Sequence, residues 1–502
     1  MSSPKKPRLA SRPVPGAAVC APDDLADGAA TSPLELSGPT FAAMIDLVKA
    51  RLVRHLGGLE AAPMHRNRGA RKAARALREG MPEEGTSFEP LLEQLFSRAL
   101  PLGLNTASAG YLAYIPGGGL LHAAIADLIT SAVNRYVGVW IAAPGLVEIE
   151  ASVVRWLAGV VGLPEGAGGV LTTGGSMANL LAIVAARRDR LPTDFSRGVL
   201  YVSREVHHSV TKAAIVAGFP AENVRSVPTC ERQRMRVDAL VEAIARDRAE
   251  GLSPFLVVGS AGTTNTGAVD PLGALADVAE REALWLHVDA AYGGFFALTE
   301  RGRAALAGIE RAHSVTLDPH KGLFLPYGTG CVVVRDPTTL RRAFSSHASY
   351  LPDMQRDADL IDFCELSPEL SREPRGLRVW LPLKMHGARA FRAALDEKLD
   401  LARYAAETLG AWPEVAMVAP PTLSLLAFRF VAPGRSPAEA DALSRRVMRG
   451  VNARQRVLLT GTTVDDRFVL RMCVLSFRTH RPRIDAALAD LRASLDAALS
   501  AR

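Results

Sequence analysis

The chain has 502 residues, 48% of them hydrophobic and 22% charged, with a formal net charge of +7, enough apolar material for a large core spread over two or three domains. The positive charge does not mark a nucleic-acid binder: the arginines are scattered and interleaved with acids, as from Val237 to Glu250, and form no basic block. Five cysteines, Cys20, Cys230, Cys331, Cys364 and Cys473, form no CxxC pair, which argues against a disulfide scaffold or a zinc site and points to a reducing cytoplasm.

The first segment, 1–35, is rich in Pro, Ala and Ser and lacks the apolar core of a signal peptide, so it reads as a disordered leader. No stretch approaches the roughly 18 uninterrupted apolar residues of a membrane span. Helical apolar spacing follows from Thr40 to Leu56 and again from Phe88 to Leu100, within a helical segment assigned to 36–113. These helices cannot bury their apolar faces alone and are expected to pack on the main domain or on a second subunit.

From about Tyr114 short apolar runs alternate with helical patterns: GGVLTT, GVLYVS, PFLVVGSAG, LWLHVDAA, HSVTLDP and GCVVVRD are the strand-like members. Such alternation predicts an α/β domain, here 114–387, whose mostly parallel sheet is covered on both faces and binds ligands at the carboxyl ends of its strands. Past Gly387 a helix over 388–409, the strand-like LSLLAFRFV, a helix over 437–452, FVLRMCVLSF and a last helix over 483–499 make a small α+β domain, 388–502.

The candidate chemistry falls at those strand ends. In VLTTGGSMANLL, Gly174, Gly175 and Ser176 lie between strand and helix, where free N–H groups and a hydroxyl favour a phosphate; alone, such a turn is commonplace. In YVSREVHHSV, His207 and His208 end a strand and start a helix, as a ring-stacking imidazole or merely a cap. Thr263 and Thr264 occupy another strand end. Asp289 closes the apolar run LWLHVD before Ala290 and Ala291, and a carboxylate there is costly to bury without a cationic partner. Lys321, in LDPHKGLF beside His320, is one of eight lysines and the only one set in apolar, glycine-rich sequence; Lys5 and Lys6 lie in the leader and the others in charged helices. Burial there is expected to lower its pKa and make it a nucleophile. A lysine to hold an aldehyde cofactor as a Schiff base and a carboxylate to keep a pyridine nitrogen protonated are what pyridoxal 5'-phosphate (PLP) chemistry needs.

In order, TTGGSMAN, EVHHS, GTT, HVDAAYGG and DPHKG resemble the PLP-dependent group II decarboxylases, the family of aromatic L-amino acid decarboxylase and glutamate decarboxylase. The likeness runs from Tyr111 to Arg478. It implies PLP fold type I, with a seven-stranded mostly parallel sheet, a homodimer clasped by the N-terminal helices, and an active site at the dimer interface. It also implies that Gly175 and Ser176 hold the phosphate, that His207 stacks on the ring, that Thr264 and Ala291 lie beside it, that Asp289 binds the pyridine nitrogen, and that His320 flanks Lys321. Asp318 stands where animal members often have Asn. The family's mobile-loop tyrosine, which returns a proton to the substrate, corresponds by counting to Phe363. Phenylalanine donates no proton, and in related plant enzymes this change accompanies oxidative conversion to an aldehyde, ammonia and peroxide. Decarboxylation of an L-amino acid is the leading reading, with His208 as a substitute donor; an aldehyde synthase is the alternative. A PLP aminotransferase, using Arg471 or Arg478 to bind a carboxylate, is a further one. Tyr111, Tyr114, Tyr136 and Trp140 would suit an aromatic substrate or fill the core equally well.

Overall fold

The computed structural model describes residues 32, 34–67, 69–345, 360–431 and 434–500. Most of the leader, 1–31, and part of the expected loop, 346–359, lie outside the described residues. The chain folds as two compact units, one of the residues up to Leu59 with Asn67–Gly103, the other of Glu60–Arg66 with Leu104 onward. Among the described residues no helix is long and apolar enough to cross a membrane.

In the first unit, helix α1 (Gly38–Gly57) starts where the Ser37 side chain accepts the Thr40 amide, and none of its residues is buried. Helix α2 (Phe88–Gln94) runs on into a π turn at Leu95–Ala99. Arg51 pairs with Glu93 at 2.6 Å.

Two larger sheets, of seven and four strands, organise the second unit. The larger has strands β1 (Gly168–Thr172), β2 (Gly198–Ser203), β3 (Val224–Val227), β4 (Ser253–Ser260), β5 (Trp285–Asp289), β6 (Ser314–Leu317) and β7 (Gly330–Val334), in the spatial order β1-β7-β6-β5-β4-β2-β3. Only β7 runs against its neighbours, pairing antiparallel with both β1 and β6. This is the seven-stranded, mostly parallel sheet expected. Strands β2, β5, β6 and β7 are buried at every position, which explains their unbroken apolar sequence: helices cover both faces, so no side of the pleat is polar. β3 went unread in the sequence because it is a four-residue edge strand, VRSV, with only Val227 buried.

The register lines up Ser260 with Asp289 and Asp289 with Thr316, so consecutive strand ends deliver their side chains to one place. Helix α3 (Leu121–Val133) precedes the sheet, α4 (Pro144–Val160) leads into β1, α5 (Gly175–Arg190) leaves β1, and α6 (His208–Val216) follows β2. Helix α7 (Gly376–Gly410) is broken at Gly387, whose φ of 68° no ordinary helix residue adopts. The small sheet, β8 (Val415–Met417), β9 (Leu425–Phe430), β10 (Thr460–Val464) and β11 (Arg467–Cys473), is antiparallel in the order β8-β9-β11-β10. Helices α8 (Pro437–Ala453) and α9 (Arg481–Ser500) close its core around Phe428, Leu443, Leu470 and Leu491.

Candidate active site

A cavity of about 270 Å³ opens at the carboxyl ends of β1, β4, β5 and β6, and Gly175, Ser176, His207, Thr264, Asp289, Ala291, His320 and Lys321 all line it. Residues far apart in sequence meet here because each follows a parallel strand.

The glycine turn at the start of α5 is tightly packed. Gly174 sits at φ 154°, a region closed to side chains, and offers no capping group to α5. A Cβ on Gly175 would come within 3.0 Å of Asp318 Oδ2 and 3.1 Å of Ala291 Cβ. Behind the turn, β7 presses so closely that a Cβ on Gly330 would lie 2.5 Å from the Gly174 backbone.

Lys321 and Asp318 share a single helical turn, Pro319–Gly322, which brings Nζ to 2.7 Å from Asp318 Oδ2. Burial pushes the Lys321 amine down, but the Asp318 carboxylate, with Asp289 beyond it, pushes harder, and the net shift is upward. The expected lowering is therefore reversed: the sequence shows the apolar setting but not the carboxylate folded back onto the amine. Asp318 is 2% exposed and its Oδ1 has no hydrogen-bond partner. The His320 ring, held below its ordinary pKa by burial, donates from Nδ1 to the Thr329 carbonyl at 2.6 Å, which leaves Nε2 bare.

Asp289 accepts from Asn179 Nδ2 at 3.0 Å and from the Ala291 amide at 3.2 Å. The His207 pKa is also lowered by burial, against the pull of Asp289, and its Nδ1 caps α6 by accepting from the Ser209 amide. Thr263 bonds to Thr266 at 2.9 Å and to the Ala268 amide at 3.1 Å, so it shapes the turn that presents Thr264.

Several candidates lie elsewhere. His208 is exposed, its ring centroid 4.3 Å from that of His207, and does not line the cavity. Tyr111 is buried in a small cluster with Met64, Ala113 and Leu458, where desolvation raises its pKa. Phe363 is 1% exposed among Val137, Val170 and Leu340, with the Arg372 guanidinium 4.6 Å above its ring, so it is a packing residue here and not a cavity-facing one. Tyr114, Tyr136 and Trp140 do not line the cavity either. Arg471 is spent on the Asn265 and Tyr114 carbonyls and Thr460 Oγ1, and Arg478 on the Ala107 and Gly118 carbonyls, so neither offers the carboxylate clamp of an aminotransferase.

Asn179, Ser209 and Tyr292 line the cavity without having been singled out, although each stands inside a quoted motif. Asn179 is four residues after Gly175, one turn into α5, and that spacing was the available signal.

A glycine turn at a helix start, an amine and a buried carboxylate around one cavity are the parts a cofactor-dependent enzyme of the PLP type needs, and the orphaned Asp318 oxygen and the tight glycine turn fit a group that the protein itself does not supply. The profile of the pyridoxal-dependent decarboxylase conserved domain matches residues 71–431. The aromatic-L-amino-acid decarboxylase of Bacillus atrophaeus is 35% identical over 430 residues, covering 85% of this chain and 90% of that protein. The phenylacetaldehyde synthase of Petunia hybrida is 28% identical, covering 82% and 86% respectively. The crystal structure of Oryza sativa TDC with PLP and tryptamine superposes with a TM-score of 0.87 at 28% identity, over 93% of this chain and 99% of that one. The chain belongs to the PLP-dependent decarboxylase family. It is an amino acid decarboxylase, and its cofactor is PLP.

Proposed function

We propose that the enzyme removes CO2 from an aromatic L-amino acid and releases the corresponding amine. The observation that carries the substrate class is the charge of the cavity wall. Among the described residues its cationic candidates are His207, His320 and Lys321, with no arginine, so none of these lining residues offers a free partner to a second substrate carboxylate. Met177 and Tyr292 add apolar surface, and the aromatic-L-amino-acid decarboxylase relative supports the same reading.

PLP, when bound, supplies the electron sink that takes up the pair released as CO2 departs. Gly175 and Ser176 at the start of α5 would hold its phosphate, Lys321 would be the amine that attaches it, and Asp289 would keep a proton at its ring nitrogen. His207, at the start of α6, would cover the ring, with Thr264 and Ala291 beside it, since all three line the same cavity. One C–C bond breaks, and one proton is added at the same carbon.

The enzyme acts as a homodimer in the cytoplasm. A row of exposed apolar side chains along α3, Leu121, Ile125, Leu128, Ile129 and Val133, supports the dimer, each between 44% and 54% exposed in one chain. The four cysteines described are all free, which suits a reducing compartment. Full activity in a monomeric variant would contradict the dimer.

The test is to incubate PLP-loaded enzyme in air with a panel of L-amino acids and quantify CO2, amine and hydrogen peroxide together. Amine equal to CO2 with aromatic substrates is the expected result. Peroxide and aldehyde matching CO2 would make it an aldehyde synthase; turnover of acidic or small basic substrates alone would overturn the aromatic assignment.

A further inference from the structure

Beneath the cavity floor lies a buried hydrogen-bond network whose proton positions can be read in full. As a carboxylate, Asp289 offers only acceptors, so the Asn179 amide must turn its Nδ2 toward Asp289 Oδ2 at 3.0 Å, and the same nitrogen reaches Ser209 Oγ at 3.1 Å. Asn179 Oδ1 then faces Thr316 Oγ1 at 2.7 Å and His287 Nε2 at 3.0 Å, and both must donate. The fully buried His287 ring, pushed down to about 4 by desolvation, carries one proton at neutral pH, and that proton is on Nε2. Its Nδ1 therefore accepts from Ser314 Oγ at 2.8 Å, which itself accepts from Trp285 Nε1 at 2.8 Å.

The other branch leads back to the cavity. Ser209 Oγ, already an acceptor for Asn179, donates to His207 Nδ1 at 2.7 Å, and the Ser209 amide points at the same nitrogen from 3.3 Å. With Nδ1 accepting, the proton of neutral His207 sits on Nε2. That atom has no hydrogen-bond partner among the described residues, on a side chain that lines the cavity.

We propose that Asn179 is the positioning residue that sets the proton pattern of this active site. One amide donates to Asp289 and to Ser209 Oγ, which leaves the Ser209 hydroxyl proton for His207 Nδ1; that short bond adds to the Ser209 amide in holding His207 as an Nε2–H donor. His320, which has its proton on Nδ1, is fixed as an acceptor by the Thr329 carbonyl, so the two imidazoles of the site are held in opposite tautomers. The part of the proposal that concerns Asp289 rests on the PLP reading; the part that concerns His207 stands in the cofactor-free protein.

The test uses histidine-ring ¹⁵N NMR on the full-length apoprotein, with His207→Gln to assign the signals, and PLP titrations of the same variants. In the wild type the two His207 ring nitrogens are expected to resonate well apart, as one bare and one protonated nitrogen. Asn179→Ala frees the Ser209 hydroxyl to rotate while the Ser209 amide stays, so it is expected to narrow that separation measurably and to weaken PLP binding by about ten-fold or more, the loss of a hydrogen bond to a charged group. Ser209→Ala, the milder change, removes the hydroxyl donor but keeps the backbone amide, so it is expected to shrink the separation and to weaken PLP binding less than Asn179→Ala does. Folding is checked by circular dichroism. A single Nε2–H tautomer persisting in both variants would overturn the proposal. A wild type that bound no PLP would instead defeat the cofactor reading, and the apoprotein spectra would still decide the role of Asn179.

Discussion

Replacing Asp318 by Asn removes the carboxylate 2.7 Å from the Lys321 amine while keeping the side chain's shape. At that separation and an effective dielectric of about 20 the gross attraction is roughly 6 kcal/mol. Desolvation of a pair whose side chains are only 2% and 22% exposed offsets most of it, leaving a net coupling on the order of 1–3 kcal/mol. Even the lower part of that range raises the free-amine fraction of Lys321 about ten-fold near neutral pH, because the carboxylate is what holds the amine above its ordinary pKa against burial. The same substitution takes a negative charge away from the glycine cradle, where Asp318 lies against the Gly175 position. Asp318→Asn apoenzyme should therefore capture PLP about ten-fold faster at pH 7, with the whole pH–rate curve displaced to lower pH than in the wild type. Stopped-flow absorbance of apoenzyme mixed with PLP across pH 6 to 9 measures both. Capture that is slower, with an unchanged pH profile, would refute the reasoning and mean that the carboxylate serves the cofactor directly.

Other outcomes follow from the same geometry. Lys321→Ala should abolish borohydride-trappable PLP, measured by mass spectrometry of the reduced protein; cofactor trapped on any other lysine would displace the site. Stability to urea should fall as pH is lowered from 6.5 toward 4, since the unfolded His287 takes up its proton near 6.5 and the buried ring only near 4. The unfolded state then binds more protons in that window, a loss of up to about 3 kcal/mol that is complete below pH 4, and His287→Gln should flatten the slope by about one proton. Phe363→Tyr should leave the ratio of amine to peroxide unchanged and lower stability by about 1–3 kcal/mol, because the new hydroxyl enters a buried cluster without a partner. A shift in that product ratio would return Phe363 to the reacting site.

What the sequence disclosed was what single residues disclose by contrast with their neighbours. Lys321 stood out as a lysine in apolar surroundings, Asp289 as an acid closing an apolar strand, and the glycine turn as a break between strand and helix. Relations between side chains were hidden. Nothing in DPHKG says that the acid folds back onto the amine, and nothing in TTGGSMAN says that its asparagine ties Asp289 to Ser209. Phe363 was hidden in a related way: counting along the chain sets it opposite a loop tyrosine, and nothing in the sequence shows that its side chain is buried with the Arg372 guanidinium on its ring. Edge strand β3 escaped because a short strand with one buried residue has no apolar signature.

The antiparallel strand β7 begins nine positions after Lys321 and brings Gly330 flush against Gly174, so the lysine and the glycine turn proposed to hold the phosphate are braced by one contact between two glycines. A variant carrying any side chain at Gly330 would look, on a survey of substitutions, like an ordinary lesion of a buried sheet. Its physical effect is to push on the cofactor's anchor, and ligand binding opposes such a push by mass action. Such a variant should behave as a vitamin-responsive defect, its activity restored by raising PLP, whereas a true core lesion of equal cost would remain impaired at saturating cofactor.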